Sequence, residues 1–314
     1  MSDESFNKID YRLRPAKNVE RKLLAEALAR LARVAPLENW CYVGFGSVYF
    51  ADFVLFHKTL GLKEMFSVEQ SEHYRDRVLF NKPYGYVGML WGTAAQKLPS
   101  VDWDKRTIVW LDYDSTLDGG ALADLATIAT NSRSGSAIVA TLDVDPKRVT
   151  DEWLEDLRSE LGSGLVPSSM TAAQLKGPRG PLFVWKLADR AIREAVRVRN
   201  QSKTSDEAVE YRQLFNFVYN DGSRMLTLGG LLVGPSEAAP LSESGVEGLW
   251  FVRKGSDPLE LSIPKLTFKE MKALDRCMPW GPHSEAPPPA LPSGAVEQYA
   301  QIYRYFPAFV EAEF

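Results

Sequence analysis

One segment carries most of the information about the fold of this chain: Trp40-Cys41-Tyr42-Val43-Gly44-Phe45-Gly46-Ser47. It predicts a buried strand followed by a glycine turn, and the next apolar run, 64–68, ends at the acid Glu69. Glycine at positions 44 and 46 leaves the backbone bare where it would have to approach a ligand. A carboxylate at the end of the second strand can hold a ribose diol with two hydrogen bonds. This layout predicts a site for a nucleotide-type cofactor.

The composition is that of a folded protein. The 314 residues suffice for one large α/β domain plus an appended part, or for two modest domains. A hydrophobic share of 45% and an aromatic share of 11% are ample for a packed core, which excludes wholesale disorder. The formal net charge is -4 and no basic stripe stands out, so the charge argues against nucleic acid as a partner.

The sequence carries no recognisable targeting or membrane signal. Residues 1–5 lack both a basic region and an apolar run. No stretch approaches the roughly 18 apolar residues that a membrane helix needs. Two cysteines, Cys41 and Cys277, are too few for a disulfide framework or a zinc cluster. We therefore expect a cytoplasmic protein with no membrane partner.

Apolar runs and helical patterns alternate along the first half of the chain. The predicted strands are 40–44, 64–68, 86–90, 107–112 and 136–142, and the predicted helices are 16–34, 48–60, 71–81 and 119–131. Strand and helix in alternation predict a parallel sheet with helices on both faces. The runs at 107–112 and 136–142 are continuously apolar, as strands buried on both faces must be.

The alternation stops after residue 146. The turn Asn220-Asp221-Gly222-Ser223 between two apolar runs predicts an antiparallel hairpin at 213–233. The remaining predictions are helices at 148–162 and 184–210, a linker at 234–248, strands at 249–253 and 259–263, a helix opened by Thr267, an irregular segment at 279–292 and a helix from about 295.

The order of these motifs resembles the class I S-adenosylmethionine-dependent methyltransferases. That family has a glycine turn after strand one, here 44–47, and an acid ending strand two, here Glu69. A glycine-acid-alanine pattern with a downstream leucine follows strand three, and its counterpart here is 92–98. A final antiparallel hairpin completes the pattern at 213–233. The resemblance covers roughly residues 35–235.

The resemblance implies an α/β fold with a Rossmann-like methyltransferase sheet, in which five parallel strands are joined by an antiparallel hairpin and helices cover both faces. It also implies a division of the chain. An N-terminal arm and helix would occupy 1–34, and a methyltransferase-like domain 35–235, with a helical insertion at about 148–210. A C-terminal extension would occupy 236–314.

The resemblance assigns cofactor-binding roles around the glycine turn. The turn residues Gly44, Phe45, Gly46 and Ser47 would pass under the methionine part of S-adenosylmethionine. A basic arm at 11–18 precedes the first helix, and its cations, Lys17 among them, would reach the methionine carboxylate. The alternative for this arm is a solvated N-terminal tail.

The same resemblance assigns the nucleoside part of the cofactor to the next two loops. Glu69 would hold the ribose hydroxyls and Gln70 would lie against the adenine. Thr93 and Ala94 would line the adenine edge. Because the family usually has Asp where Thr93 stands, the hydroxyl would accept from the exocyclic amine more weakly than a carboxylate does.

The turn after strand four holds the candidate catalytic residues. In the resembled family this turn faces the transferable methyl group. Asp112 is the first candidate for a base or acceptor-positioning group and would also contact the cofactor, and Tyr113 and Asp114 are the next catalytic candidates. The alternative for Asp114 is a helix N-cap or an Asx turn.

Two acids at neighbouring strand ends raise the question of a metal. Asp112 and Asp143 could chelate Mg²⁺, as in the catechol-type O-methyltransferases that the arrangement partly resembles. Val144 stands where such sites carry an asparagine, and acids before a proline commonly just end a strand. We therefore favour a site without metal.

The sequence thus predicts methyl transfer from S-adenosylmethionine to oxygen or nitrogen of a small-molecule acceptor. Two alternatives stay open at this point. One is a catalytically silent methyltransferase fold that binds or senses a ligand, which Thr93 and the long C-terminal part would suit. The other is a NAD-dependent oxidoreductase, which Tyr49 disfavours because it occupies the position of the third glycine in the dinucleotide fingerprint.

Overall fold

A single sheet organises the chain in the computed structural model, which describes residues 14–289 and 291–307. Within these residues the strands are β1 (Cys41–Gly44), β2 (Glu64–Glu69), β3 (Val87–Trp91), β4 (Thr107–Asp112), β5 (Ala137–Asp143), β6 (Glu210–Asn220), β7 (Arg224–Val233) and β8 (Leu259–Leu261). Their order across the sheet is β3-β2-β1-β4-β5-β7-β6-β8. The first five strands pair in parallel, and β7 runs antiparallel to its neighbours β5 and β6.

The predicted fold class is confirmed. The two continuously apolar runs form β4 and β5 at the centre of the sheet, and β5 is buried along its whole length. The predicted hairpin forms β6 and β7 around the turn that contains Asp221. β8 joins β6 in parallel, so the chain beyond residue 235 adds a strand to the same sheet. The division of the chain at 235 remains a prediction.

Ten α-helices accompany the sheet within the described residues. They are α1 (Pro15–Arg30), α2 (Ala51–Leu60), α3 (Arg75–Asn81), α4 (Ala94–Lys97), α5 (Gly119–Asn131), α6 (Asp151–Leu161), α7 (Arg179–Asn200), α8 (Pro235–Ser244), α9 (Phe268–Cys277) and α10 (Ala295–Ile302). No helix among these residues combines the length and the apolar character that crossing a membrane would require.

The helices form a layer on each face of the sheet. One core contains the apolar sides of α1, α2 and α8 with inward residues of the strands such as Tyr42 and Trp110. The other contains α5, α6 and α7 with the alternate strand residues, among them Val43 and Val109. Adjacent strand residues therefore serve opposite cores, as the alternation of side chains along a strand dictates.

Two elements of the C-terminal part differ from the sequence prediction. The linker predicted at 234–248 is wrong, because α8 forms there. Pro235 starts this helix where a missing N–H costs nothing, and Leu241 is buried in the core. The strand predicted at 249–253 is also wrong. The N–H of Val252 donates to the carbonyl of Leu249, which closes a turn, and the apolar pattern reflects the burial of Phe251.

Candidate functional site

A cavity of about 510 Å³ opens at the carboxyl ends of β1 to β4. Because parallel strands end at the same edge, the four loops that follow them meet there. The cavity brings together these residues that the sequence singled out: Lys17, Phe45, Gly46, Ser47, Glu69, Gln70, Thr93, Ala94, Asp112, Tyr113 and Asp114. Gly44 lies just outside its lining, in β1. Of the basic arm predicted at 11–18, residues 11–13 lie outside the described residues.

The glycines of the first turn make room for the protein's own side chains. A Cβ at Gly44 would collide with the Tyr42 hydroxyl, and one at Gly46 would lie 2.7 Å from Ser67 Oγ. The N–H of Gly46 donates to that Ser67 oxygen at 2.9 Å, which holds the turn against β2. The bare backbone predicted at these positions is present, but at Gly44 the space it leaves is filled by Tyr42.

The turn continues through two residues with left-handed backbone angles. Ser47 has φ 53° and Phe50 has φ 45°, which are strained values for residues with a side chain. Tyr49, which replaces the third glycine of the dinucleotide fingerprint, lines the cavity. The Ser47 hydroxyl is buried without a hydrogen-bond partner among the described residues. A strained turn that presents an unsatisfied hydroxyl beside a cavity is suited to contact a polar ligand group.

The loops after β2 and β3 hold the predicted nucleoside contacts. Glu69 is half-buried, and its Oε1 accepts a hydrogen bond from the N–H of Ser71 at 2.9 Å. Thr93 begins α4 with a capping box: its hydroxyl accepts from the N–H of Gln96, and the Gln96 side chain accepts from the N–H of Thr93. The threonine that departs from the family pattern thus has a local structural role as an N-cap.

Asp112 ends β4 at the floor of the cavity and is paired with a buried lysine. Lys17 Nζ lies 2.6 Å from Asp112 Oδ1 and 2.8 Å from Glu20 Oε2. Lys17 is 2% exposed, and its ammonium lies 4.5 Å from the centre of the Trp110 ring. The lysine therefore has two carboxylate partners within the protein, in addition to its place in the cavity lining.

The other two catalytic candidates differ in burial. The Tyr113 hydroxyl donates to Asp124 Oδ2 at 2.8 Å. Burial first, and then the Asp124 charge, raises the pKa of Tyr113 well above its ordinary value, so the phenol stays protonated at neutral pH. Asp114 is exposed. The N-cap of α5, the alternative role considered for Asp114, belongs to Asp118, whose side chain accepts from the N–H of Ala121.

Asp143 is not brought into the cavity with Asp112. Its carboxylate forms an ion pair with Arg148 at 3.0 Å and accepts hydrogen bonds from Ser223 Oγ and from the N–H of Asp145. These contacts tie the end of β5 to the hairpin. Among the described residues no group of three or more potential metal ligands occurs.

The sequence analysis missed two buried acids in the cavity wall, Asp52 on α2 and Asp124 on α5. Asp52 accepts a hydrogen bond from the Tyr42 hydroxyl, and burial raises its pKa, partly offset by the nearby Arg21. Burial likewise raises the pKa of Asp124. The available signal was an acid on the apolar face of a helix, as with Asp52 four residues before Phe56.

The relationship to known proteins agrees with this geometry. A family model described as "Putative O-methyltransferase" matches residues 9–314. The chain belongs to this methyltransferase family. This match confirms the predicted enzyme class, a methyltransferase, and the strand order of the sheet confirms the predicted fold class. No curated protein sequence matches the methyltransferase.

Solved methyltransferase structures resemble the chain only distantly. The O-methyltransferase TomG from Streptomyces achromogenes, in complex with SAM, is 13% identical over 72% of this chain and 91% of its own, with a TM-score of 0.38. The O-methyltransferase from Bacillus cereus, in complex with SAH, is 14% identical over 72% and 86%, also with a TM-score of 0.38. Because these identities and TM-scores are low, the assignment of the chain to a methyltransferase family rests on the family match and on the topology of the sheet.

Proposed function

We propose that this methyltransferase transfers a methyl group from S-adenosylmethionine to an oxygen atom of a small-molecule acceptor. One observation carries the proposal: a single cavity gathers the glycine turn, the acid that ends β2, the loop after β3, the acid that ends β4 and the acid Asp114 that follows it. Its volume of about 510 Å³ falls within the range of roughly 300–1,000 Å³ that is usual for small-molecule sites. The family description supports oxygen as the acceptor atom.

The residues of the cavity fit the proposed cofactor. The unsatisfied Ser47 hydroxyl would hold its amino-acid end, Gly46 would pass beneath it, and Glu69 would hold the ribose. Gln70 and Thr93 would flank the adenine. When bound, the cofactor supplies a methyl group on a sulfonium centre, which is an electrophile for in-line displacement.

The side chains at the end of β4 would place the acceptor and receive its proton. Asp112 Oδ1 is bonded to Lys17, and the carboxylate reaches the cavity from the end of β4, where it can orient an acceptor hydroxyl and take its proton. Tyr113, kept neutral by its raised pKa, forms the adjoining wall with Phe45, whose ring it meets edge to face. Asp114 lies exposed beside them and would contact the outer part of the acceptor.

Calorimetric titration of the intact protein with S-adenosylmethionine, and in parallel with NAD, tests the cofactor assignment. We expect binding heat and a thermal shift with S-adenosylmethionine and neither of them with NAD. Binding of NAD instead would replace the proposal with an oxidoreductase. A second experiment incubates the protein with labelled S-adenosylmethionine and a panel of phenols, catechols, hydroxy acids and amines. A cofactor that binds but is never consumed across the panel would favour a silent sensing module, and transfer to amines alone would move the acceptor atom to nitrogen.

A further inference from the structure

Helix α1 carries a lysine whose charge is buried beneath the cavity. Lys17 is 2% exposed, and a buried ammonium is costly unless it is paired and hydrogen-bonded. Here it lies between two carboxylates, with Glu20 Oε2 at 2.8 Å and Asp112 Oδ1 at 2.6 Å, and it also donates to the Tyr219 hydroxyl at 3.2 Å. The lysine therefore belongs to a complete ion-pair network.

Glu20 anchors this network to the centre of the sheet. It is fully buried, and its carboxylate accepts hydrogen bonds from the hydroxyls of Tyr219 at 3.1 Å, Thr141 at 3.4 Å and Thr227. These partners lie on β6, β5 and β7. The position of Lys17 is thus determined by three strands, so its ammonium has little freedom to follow a ligand.

Asp112 is the one member of the network that reaches the cavity substantially. Its side chain is 26% exposed, whereas Glu20 and Lys17 are almost completely buried. Lys17 donates its hydrogen bond to Asp112 Oδ1. No described residue donates a side-chain hydrogen bond to Asp112 Oδ2. The lysine consequently holds one oxygen of the carboxylate and leaves the other for a ligand.

We propose that Lys17 is a positioning residue that acts through Asp112, an assignment that rests on the proposed function. Its charge-assisted hydrogen bond to Oδ1 keeps the Asp112 carboxylate in one orientation, with Oδ2 towards the ligand. Two carboxylates share one ammonium, and Asp112 is the one of the two whose side chain is exposed to the cavity. Besides orienting the acceptor hydroxyl, this carboxylate would attract a cationic cofactor, so the affinity for S-adenosylmethionine reports on its position. This role differs from direct contact between Lys17 and the carboxylate of the cofactor.

A double-mutant cycle distinguishes the two roles, with the affinity for S-adenosylmethionine measured by calorimetry. Lys17→Met alone would leave Glu20 buried without its cation, so the variant to use is K17M/E20Q. We expect K17M/E20Q and D112N each to bind about tenfold more weakly, the effect of one lost charge-assisted hydrogen bond. The triple variant K17M/E20Q/D112N should also lose about tenfold, because Lys17 has no target once Asp112 is neutral.

Two results would overturn the inference. If the triple variant bound about a hundredfold more weakly, the effects would be additive and Lys17 would contact the ligand on its own account. If K17M/E20Q bound as tightly as the wild type, Lys17 would be structural only. Failure of the wild type to bind S-adenosylmethionine would instead refute the proposed function.

A matched control removes an ion pair at the opposite end of β4. Arg106 immediately precedes that strand, and its guanidinium contacts Glu237 at 2.8 Å, away from the cavity. We expect R106M/E237Q to bind S-adenosylmethionine like the wild type. Thermal unfolding of both pairs of substitutions shows whether any loss of affinity merely follows a loss of stability.

Discussion

At the scale of single residues, the cavity wall is marked by carboxyl groups whose surroundings oppose ionisation. Asp52 is buried at the first turn of α2, beneath the Tyr42 hydroxyl, and Asp124 is buried behind Tyr113. In both cases desolvation is the main cause of the raised pKa. Such groups are common at functional sites, where the environment sets which protonation state is available.

Asp52→Asn should change how the stability of the protein depends on pH. A raised pKa in the folded state means that the contribution of Asp52 is fully present below the unfolded pKa of about 3.9 and is lost as pH rises through the folded pKa. Asparagine keeps the hydrogen bond from Tyr42 and does not titrate. We therefore expect the asparagine variant to gain stability relative to the wild type as pH rises, measured by urea unfolding. Asp156→Asn, at an exposed helix position, should show no such trend.

Glu69→Ala should weaken binding of S-adenosylmethionine by about 1–3 kcal/mol, through lost hydrogen bonds between the ribose and a charged acceptor. Calorimetric titration measures this directly. Glu72→Ala provides a nearby exposed control and should bind normally. An unchanged affinity in the Glu69 variant would remove this residue from the site.

At the scale of secondary-structure elements, glycines set how closely β7 can lie between its neighbours. A Cβ at Gly229 would lie 2.9 Å from Val139 Cα on β5, and one at Gly230 would lie 2.7 Å from Gln213 Cα on β6. Backbone atoms of paired strands cannot move aside as a flexible side chain can. The two glycines are therefore required by strand packing, and neither of them lines the cavity.

Gly230→Ala should destabilise the protein by about 1–3 kcal/mol, because the added methyl group overpacks the contact with β6. Urea unfolding gives the change in the free energy of unfolding. Gly164→Ala serves as the control, since a Cβ there meets no atom within 4 Å and its φ is not in the left-handed range. Equal stabilities of the two variants would show that β7 can shift to accept the methyl group.

At the scale of the whole molecule, helix α1, which contributes Lys17 to the cavity, is bonded to the turn between β6 and β7. Asp221, in the β6–β7 turn, accepts a hydrogen bond from the N–H of Lys17 at 3.0 Å, 204 residues away in the chain. Arg14 donates to the carbonyl of the same aspartate. The first turn of α1 has no side-chain cap of its own, so the hairpin supplies that acceptor.

Asp221→Ala should loosen the start of α1 without unfolding the sheet. Loss of a helix-capping acceptor costs about 1 kcal/mol, so we expect a small decrease in stability. Amide hydrogen exchange should accelerate at 16–19 more than in β4 or β5. Asp257→Ala, at an exposed position, is the control. Unchanged exchange at the start of α1 would mean that other contacts hold this end of the helix.

The sequence by itself determined the sheet and the edge at which the cavity opens. Alternating strand and helix patterns require a parallel sheet, and parallel strands bring their following loops to one edge, so Gly46, Glu69, Thr93 and Asp112 could be placed together without coordinates. The prediction of the sheet was confirmed because it depends on periodicity and turn chemistry, which are local properties of the chain, and the roles of these four residues stay predictions.

Only the tertiary structure shows that Lys17 pairs with Asp112. It also shows that Asp52 and Asp124 line the cavity. Lys17 and Asp112 are 95 residues apart, and nothing in the local pattern of α1 indicates which strand its lysine will meet. The prediction of a linker at 234–248 failed for a related reason, since α8 is stabilised by burying Leu241 against the distant core. Partners of this kind are selected by packing, and packing exists only once the elements have assembled.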